Sequence, residues 1–162
     1  MGDMDMDFST RRFYTGVLCF FTVALAACGT AKPMPDFNTF QHRVTDGTVA
    51  LYWNCSRPAT GMVRVEGVAN NPYYPTPIQD LEFRLYGVTA QGSNISRARG
   101  SAQDFLIEMN APSSFTIGLK ILGEEVRYDL VYSYMMAARG LGGAMGGEQQ
   151  NMARDVCAGL AP

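Results

Sequence analysis

The sequence predicts an all-β fold, an antiparallel β-sandwich, on three observations. Between about Phe37 and Met136 apolar residues recur with period two, which is the signature of strands with one face against a core. Turn signals interrupt these runs every ten to fifteen residues or so, and no amphipathic helix separates them, which favours an antiparallel arrangement over a parallel sheet. The composition, 47% hydrophobic and 17% charged, is that of a chain able to bury a core, and its length suits one domain.

The strands follow in order. Val49, Leu51, Trp53 and Cys55 alternate with Thr48, Ala50, Tyr52 and Asn54, placing the first set inward. Val63 and Val65 alternate with Arg64 and Glu66, and Asn70-Asn71-Pro72 ends that run as a turn. Leu81, Phe83 and Leu85 alternate with Asp80, Glu82 and Arg84 in the clearest half-exposed strand, and Gln91-Gly92-Ser93-Asn94 then turns the chain. Phe105, Ile107 and Met109 form a further run, followed after Pro112-Ser113-Ser114 by Phe115, Ile117, Leu119 and Ile121. Glu124-Glu125 is expected in a hairpin turn, and Tyr128, Leu130, Tyr132 and Tyr134 in the last strand.

Both ends differ from this middle. Residues 137–162 open with Gly140, Gly142, Gly143, Gly146 and Gly147, a hinge composition, and continue with Met152, Val156 and Leu160 at spacing four, which predicts a short helix over 148–160. At the other end Arg11 and Arg12 precede an uncharged run from Phe13 to Ala27. That run is shorter than the roughly 20 residues of a permanent membrane helix and ends in small residues, as a cleavable signal peptide does. Leu25-Ala26-Ala27-Cys28 resembles the lipobox of bacterial lipoproteins. The resemblance implies cleavage before Cys28, a palmitate-bearing lipid on its thiol and residence on a membrane of the cell envelope. Gly29 stands where an Asp would favour inner-membrane retention, so the expected address is the outer membrane. The expected divisions are 1–27 signal peptide, 28–36 anchor and proline-stiffened linker, 37–136 sandwich, and 137–162 tail.

Of four cysteines, Cys19 leaves with the signal and Cys28 takes the lipid, so Cys55 and Cys157 remain in an oxidising compartment and suit one disulfide. The alternative is a buried free Cys55 and an unpaired Cys157 beside the tail.

Val63-Arg64-Val65-Glu66-Gly67-Val68-Ala69-Asn70-Asn71, followed by Phe83-Arg84-Leu85-Tyr86-Gly87 and Ala90-Gln91-Gly92, resembles the FxLYD domains of bacterial envelope proteins. Gly87 replaces the Asp of that pattern. The resemblance implies an immunoglobulin-like form of the sandwich and an extracytoplasmic setting, and it carries over no catalytic residue.

Chemistry is sparse. The formal net charge of −2 with well-mixed signs argues against nucleic-acid or strongly anionic partners. His42, the sole histidine, is accompanied by no nucleophile motif and no metal-ligand spacing, so neither enzyme activity, cofactor nor metal is expected. The feature most open to binding is the loop carrying Pro72, Tyr73, Tyr74, Pro75 and Pro77. Two functions follow as expectations: an accessory module that contacts another envelope protein through Tyr73 and Tyr74, or a small-ligand or polysaccharide binder using the same loop.

Overall fold

The computed structural model describes residues 33–72, 76–136 and 147–160. The chain pairs into two antiparallel sheets. The first has strand order β1 (His42–Thr45), β2 (Ala50–Ser56), β3 (Met62–Asn70), β7 (Ser113–Lys120). The second runs β5 (Asn94–Ser101), β4 (Ile78–Val88), β8 (Arg127–Met136), β9 (Glu148–Ala153), with the short β6 (Leu106–Ile107) pairing the start of β4. With β2, β3 and β7 as strands A, B and E, and β5, β4, β8 and β9 as C′, C, F and G, this is the Greek-key order of an immunoglobulin-like sandwich.

The period-two pattern sets the core. Leu51 and Trp53 of β2, Val63 and Val65 of β3, and Phe115, Ile117 and Leu119 of β7 face Leu81, Phe83 and Leu85 of β4 and Leu130, Tyr132 and Tyr134 of β8. Phe83 stacks on Phe115 across the sheets with centroids 4.3 Å apart. Among the described residues every buried member of the core lies between Val49 and Cys157. The compact unit Met34–Pro162 therefore carries all of the core found among the described residues.

Two local devices shape the sheets. At Asp80 the backbone enters the left-handed region, φ 51°, and the β4 register slips between Gln79 and Glu82. This bulge lets Ile78 and Leu81, three residues apart, both face the core, where strict alternation would turn one outward. Gly100 brings β5 against β7: a Cβ there would lie 2.9 Å from Ile117 Cγ1 and 3.2 Å from the Thr116 carbonyl. Ala102 bridges Phe115, and Gln103 N donates to Ser114 O at 2.8 Å, so this side of the sandwich is zipped shut.

Four sequence expectations change. The tail is not helical: Glu148–Ala153 is strand β9 along β8, with Leu130 opposite Ala153 and Tyr132 opposite Asn151, and turns follow it. Spacing four placed Met152 and Val156 on one stripe, but Met152 is 55% exposed on the strand while Val156 is buried in the turn after it. Hydrogen bonding to an unfilled sheet edge outweighs a narrow helical stripe. Consequently β8 is not the last strand. Glu124 and Glu125 lie on a crossover between sheets, since β7 and β8 belong to different ones. Finally, of the Phe105, Ile107, Met109 run only Ile107 is buried; Phe105 is 66% and Met109 50% exposed.

Candidate functional site

The Cys55–Cys157 disulfide is formed, joining the end of β2 in one sheet to the turn after β9 in the other, with Cα atoms 5.6 Å apart. The bridge belongs to a larger seam. Trp53 Nε1 donates to the Val156 carbonyl at 2.6 Å, and Val156 N donates to the Tyr128 carbonyl at 2.7 Å. Asp155 N donates to Asp129 Oδ1 at 3.0 Å, and Asp129 in turn pairs with Arg127 at 3.3 Å. Farther along the same side, Asp46 Oδ2 accepts from Asn151 Nδ2 of β9 at 2.7 Å and from the Tyr134 hydroxyl of β8 at 3.1 Å. The other Asp46 oxygen accepts from Thr48 N and Val49 N and so shapes the β1–β2 turn. Burial, with the Asp46 carboxylate nearby, pushes the Tyr132 phenol up and keeps it protonated.

Beside the disulfide, Gln41, His42, Cys55, Ala158, Gly159 and Leu160 line a cleft of about 430 Å³. His42 stacks on Trp53 with centroids 5.7 Å apart, which gives this histidine a packing role. The chain enters at the same end. Asp36 caps the Phe37–Thr39 turn, Phe37 stacks on Tyr52 at 4.3 Å, and Gln41 N donates to Asn54 Oδ1 at 2.8 Å.

At the opposite end of the strands lies the root of the aromatic loop. Tyr73 and Tyr74 fall outside the described residues, as does Cys28. The loop's base is held by Asn71 Nδ2 donating to the Thr76 carbonyl at 2.9 Å. The Asn71 carbonyl accepts from Asn110 N at 3.0 Å, and Asn71 bridges Met109. This ties the loop base to the segment bearing exposed Phe105, Leu106 and Met109. Three large apolar side chains within five residues are all open to solvent, a concentration of exposed apolar surface along one short segment. Sequence reading assigned Phe105 and Met109 to the core and so missed it. The available signal was Glu108-Met109-Asn110-Ala111-Pro112, a poor strand ending, with Asn110 in the left-handed region at φ 59°.

On the crossover at the chain-entry end, burial raises the Glu125 carboxyl, but hydrogen bonds from Leu122 N, the Ser96 hydroxyl and Gly123 N outweigh it and hold the group below its usual value. Glu125 thus locks a turn. Among the described residues no group of three or more His, Cys, Asp or Glu side chains could hold a metal ion, and no helix is long and apolar enough to cross a membrane.

No protein-family model matches the chain, and no curated protein matches its sequence. Among solved structures it is similar to the GAE domain of GGA2p from Saccharomyces cerevisiae, at 12% identity over 71% of this chain and 96% of that one, with a TM-score of 0.46. It is also similar to the yeast GGA1 GAE domain, at 12% identity over 70% and 96%, with a TM-score of 0.44. These are likenesses of shape, and the immunoglobulin-like assignment rests on the strand order itself.

Proposed function

We propose that this chain is a non-enzymatic lipoprotein of the bacterial cell envelope, anchored through Cys28 and displaying its sandwich as an accessory protein-interaction module. The observation that carries the interaction reading is the exposure of Phe105, Leu106 and Met109 on one short segment tied to the base of the Tyr73 and Tyr74 loop, at the end of the strands remote from chain entry. Apolar side chains of this size, left in water on a rigid scaffold, gain on the order of 1.5–3 kcal/mol each when a partner covers them fully. The address is supported by Leu25-Ala26-Ala27-Cys28 and by the disulfide, a bond that persists in oxidising compartments. The resemblance of Phe83-Arg84-Leu85-Tyr86 and its flanks to the FxLYD pattern fits the same setting. Gly29 after the lipidated position favours the outer membrane.

Labelled palmitate tests the anchor: it is expected to enter the wild-type protein and not Cys28→Ser, and equal labelling of both refutes lipidation there. Mild crosslinking tests the contact. A dominant envelope partner is expected with wild type and a loss of at least tenfold with Phe105→Ser/Met109→Ser, whose exposure keeps the cost to stability within about 1 kcal/mol. Undiminished capture by that variant rejects this segment as the contact. Saturable stabilisation by a glycan, lost in Tyr73→Ala/Tyr74→Ala, replaces the protein partner with a polysaccharide ligand.

A further inference from the structure

We infer that the outer face of the second sheet is a docking surface for anionic phospholipid headgroups, an inference that rests on the lipid-anchor reading above. The strand registers define the face. Along one row Arg99 of β5 lies opposite Arg84 of β4, which lies opposite Val131 of β8 and then Met152 of β9. Along the next, Arg97 lies opposite Tyr86, which lies opposite Asp129. The intervening residues Phe83, Leu85, Leu130 and Tyr132 are buried, so alternation turns the arginine rows outward. Arg97 and Arg99 are exposed and Arg84 is half-buried.

Exposed Glu82 shares this face, one outward row from Arg84 and Arg99, and Asp129 ends the Arg97 row, so the three arginines outnumber the carboxylates beside them. Among the described residues Arg84, Arg97 and Arg99 form no ion pair; Arg127 pairs with Asp129, and Arg64, on the other sheet, with Glu66. Arg84 and Arg99 are directly opposed like charges, an arrangement that destabilises a strand pair unless an anion lies between them. The concentration is local, because the whole chain is net negative at −2.

Three arguments select the occupant. A second copy of this chain is disfavoured at this face, since a two-fold contact centred on the arginine rows brings two surfaces of the same excess positive charge together. Guanidinium groups offer a planar fork that binds phosphate oxygens in pairs, and here they stand beside Tyr86 and the 55% exposed Met152, a mixture suited to the headgroup level of a bilayer. Only eight residues, 29–36, separate Cys28 from the Phe37–Thr39 turn, a reach of about 30 Å when extended, so an anchored domain stays within range of the headgroups. An arginine face needs little affinity at that distance.

The test uses the compact unit of residues 34–162, which carries the core found among the described residues and lacks Cys28, with vesicles of phosphatidylglycerol and phosphatidylcholine set against phosphatidylcholine alone. Cosedimentation is expected only with the anionic vesicles, to fall steeply at 0.5 M salt, and to weaken about a hundredfold in Arg84→Gln/Arg97→Gln/Arg99→Gln. The exposed pair Arg97→Gln/Arg99→Gln, whose thermal unfolding should match wild type, is expected to lose about thirtyfold and guards against misfolding through half-buried Arg84. Equal binding to both vesicles, no binding to either, or undiminished binding by the variants overturns the proposal. Capture of an acidic peptide without vesicle binding also overturns it, in favour of a protein partner. Because Cys28 is absent from the tested unit, a failed palmitate label with intact vesicle binding rejects the anchor alone, and the reverse result rejects the face alone.

Discussion

Gly67 shows how little room the first sheet leaves at a single residue. A Cβ at this position would overlap the Tyr52 carbonyl and lie 2.8 Å from both Phe115 Cζ and Trp53 Cβ. Backbone and core rings cannot both retreat, so Gly67→Ala is expected to lower unfolding free energy by about 1–3 kcal/mol, read as a reduced urea midpoint. Glu125 offers a contrasting case, in which a charge and not a volume is at stake. Its carboxyl sits below the ordinary glutamate value of 4.5 in the folded chain. The folded state therefore binds fewer protons than the unfolded one in that window, so the contribution is present above pH 4.5 and is lost as pH falls through the lower folded value. Urea midpoints measured from pH 6 to pH 3 should fall less in Glu125→Gln than in wild type; parallel curves reject the role.

Among the elements, legibility in sequence follows what each strand packs against. β2, β4 and β8 could be read because each sets large apolar residues against polar ones, as with Phe83 and Leu85 against Glu82 and Arg84. β5 escaped notice because its inward positions are Ala98 and Gly100, small to admit β7, so no apolar period exists to find. β9 escaped for a different reason: its inward positions include Asn151, whose amide answers the Asp46 carboxylate. The arginine face was likewise invisible, since three positions drawn from two strands produce neither a basic run nor a basic composition. The pairing of Cys55 with Cys157 was legible as arithmetic, but the strand that delivers Cys157 to its partner was not. That strand depends on its bridge. Because the bond spans 102 residues, Cys55→Ser/Cys157→Ser is expected to lose up to about 4–5 kcal/mol on the chain-entropy model, with backbone amides of β9 the first to lose hydrogen-exchange protection. Unchanged protection at Asn151 and Met152 in that variant would show that strand pairing alone suffices.

At the scale of the molecule, the two long sides of the sandwich are closed by different chemistry. One is zipped by backbone, where Gly100 lets β5 meet β7 and Gln103 reaches Ser114. The other is sealed by side chains: the disulfide, the Trp53 indole on Val156, and Asp46 on Tyr134 and Asn151. The two ends also differ in character, with a cleft beside the disulfide at one and exposed Phe105 and Met109 at the other. One body thus offers three separable surfaces, and the variants named for that segment and for the arginines touch different ones.

The Trp53 indole meets its acceptor 103 residues later in the chain, and this separation sets an order of events. As the polypeptide emerges from a ribosome, the indole N–H and the Cys55 thiol come out well before the groups that answer them. Only the arrival of Val156 and Cys157 finishes the job. The seam on this side of the sandwich is thus latched from the far end of the chain, by Val156 on the indole and Cys157 on the thiol of Cys55.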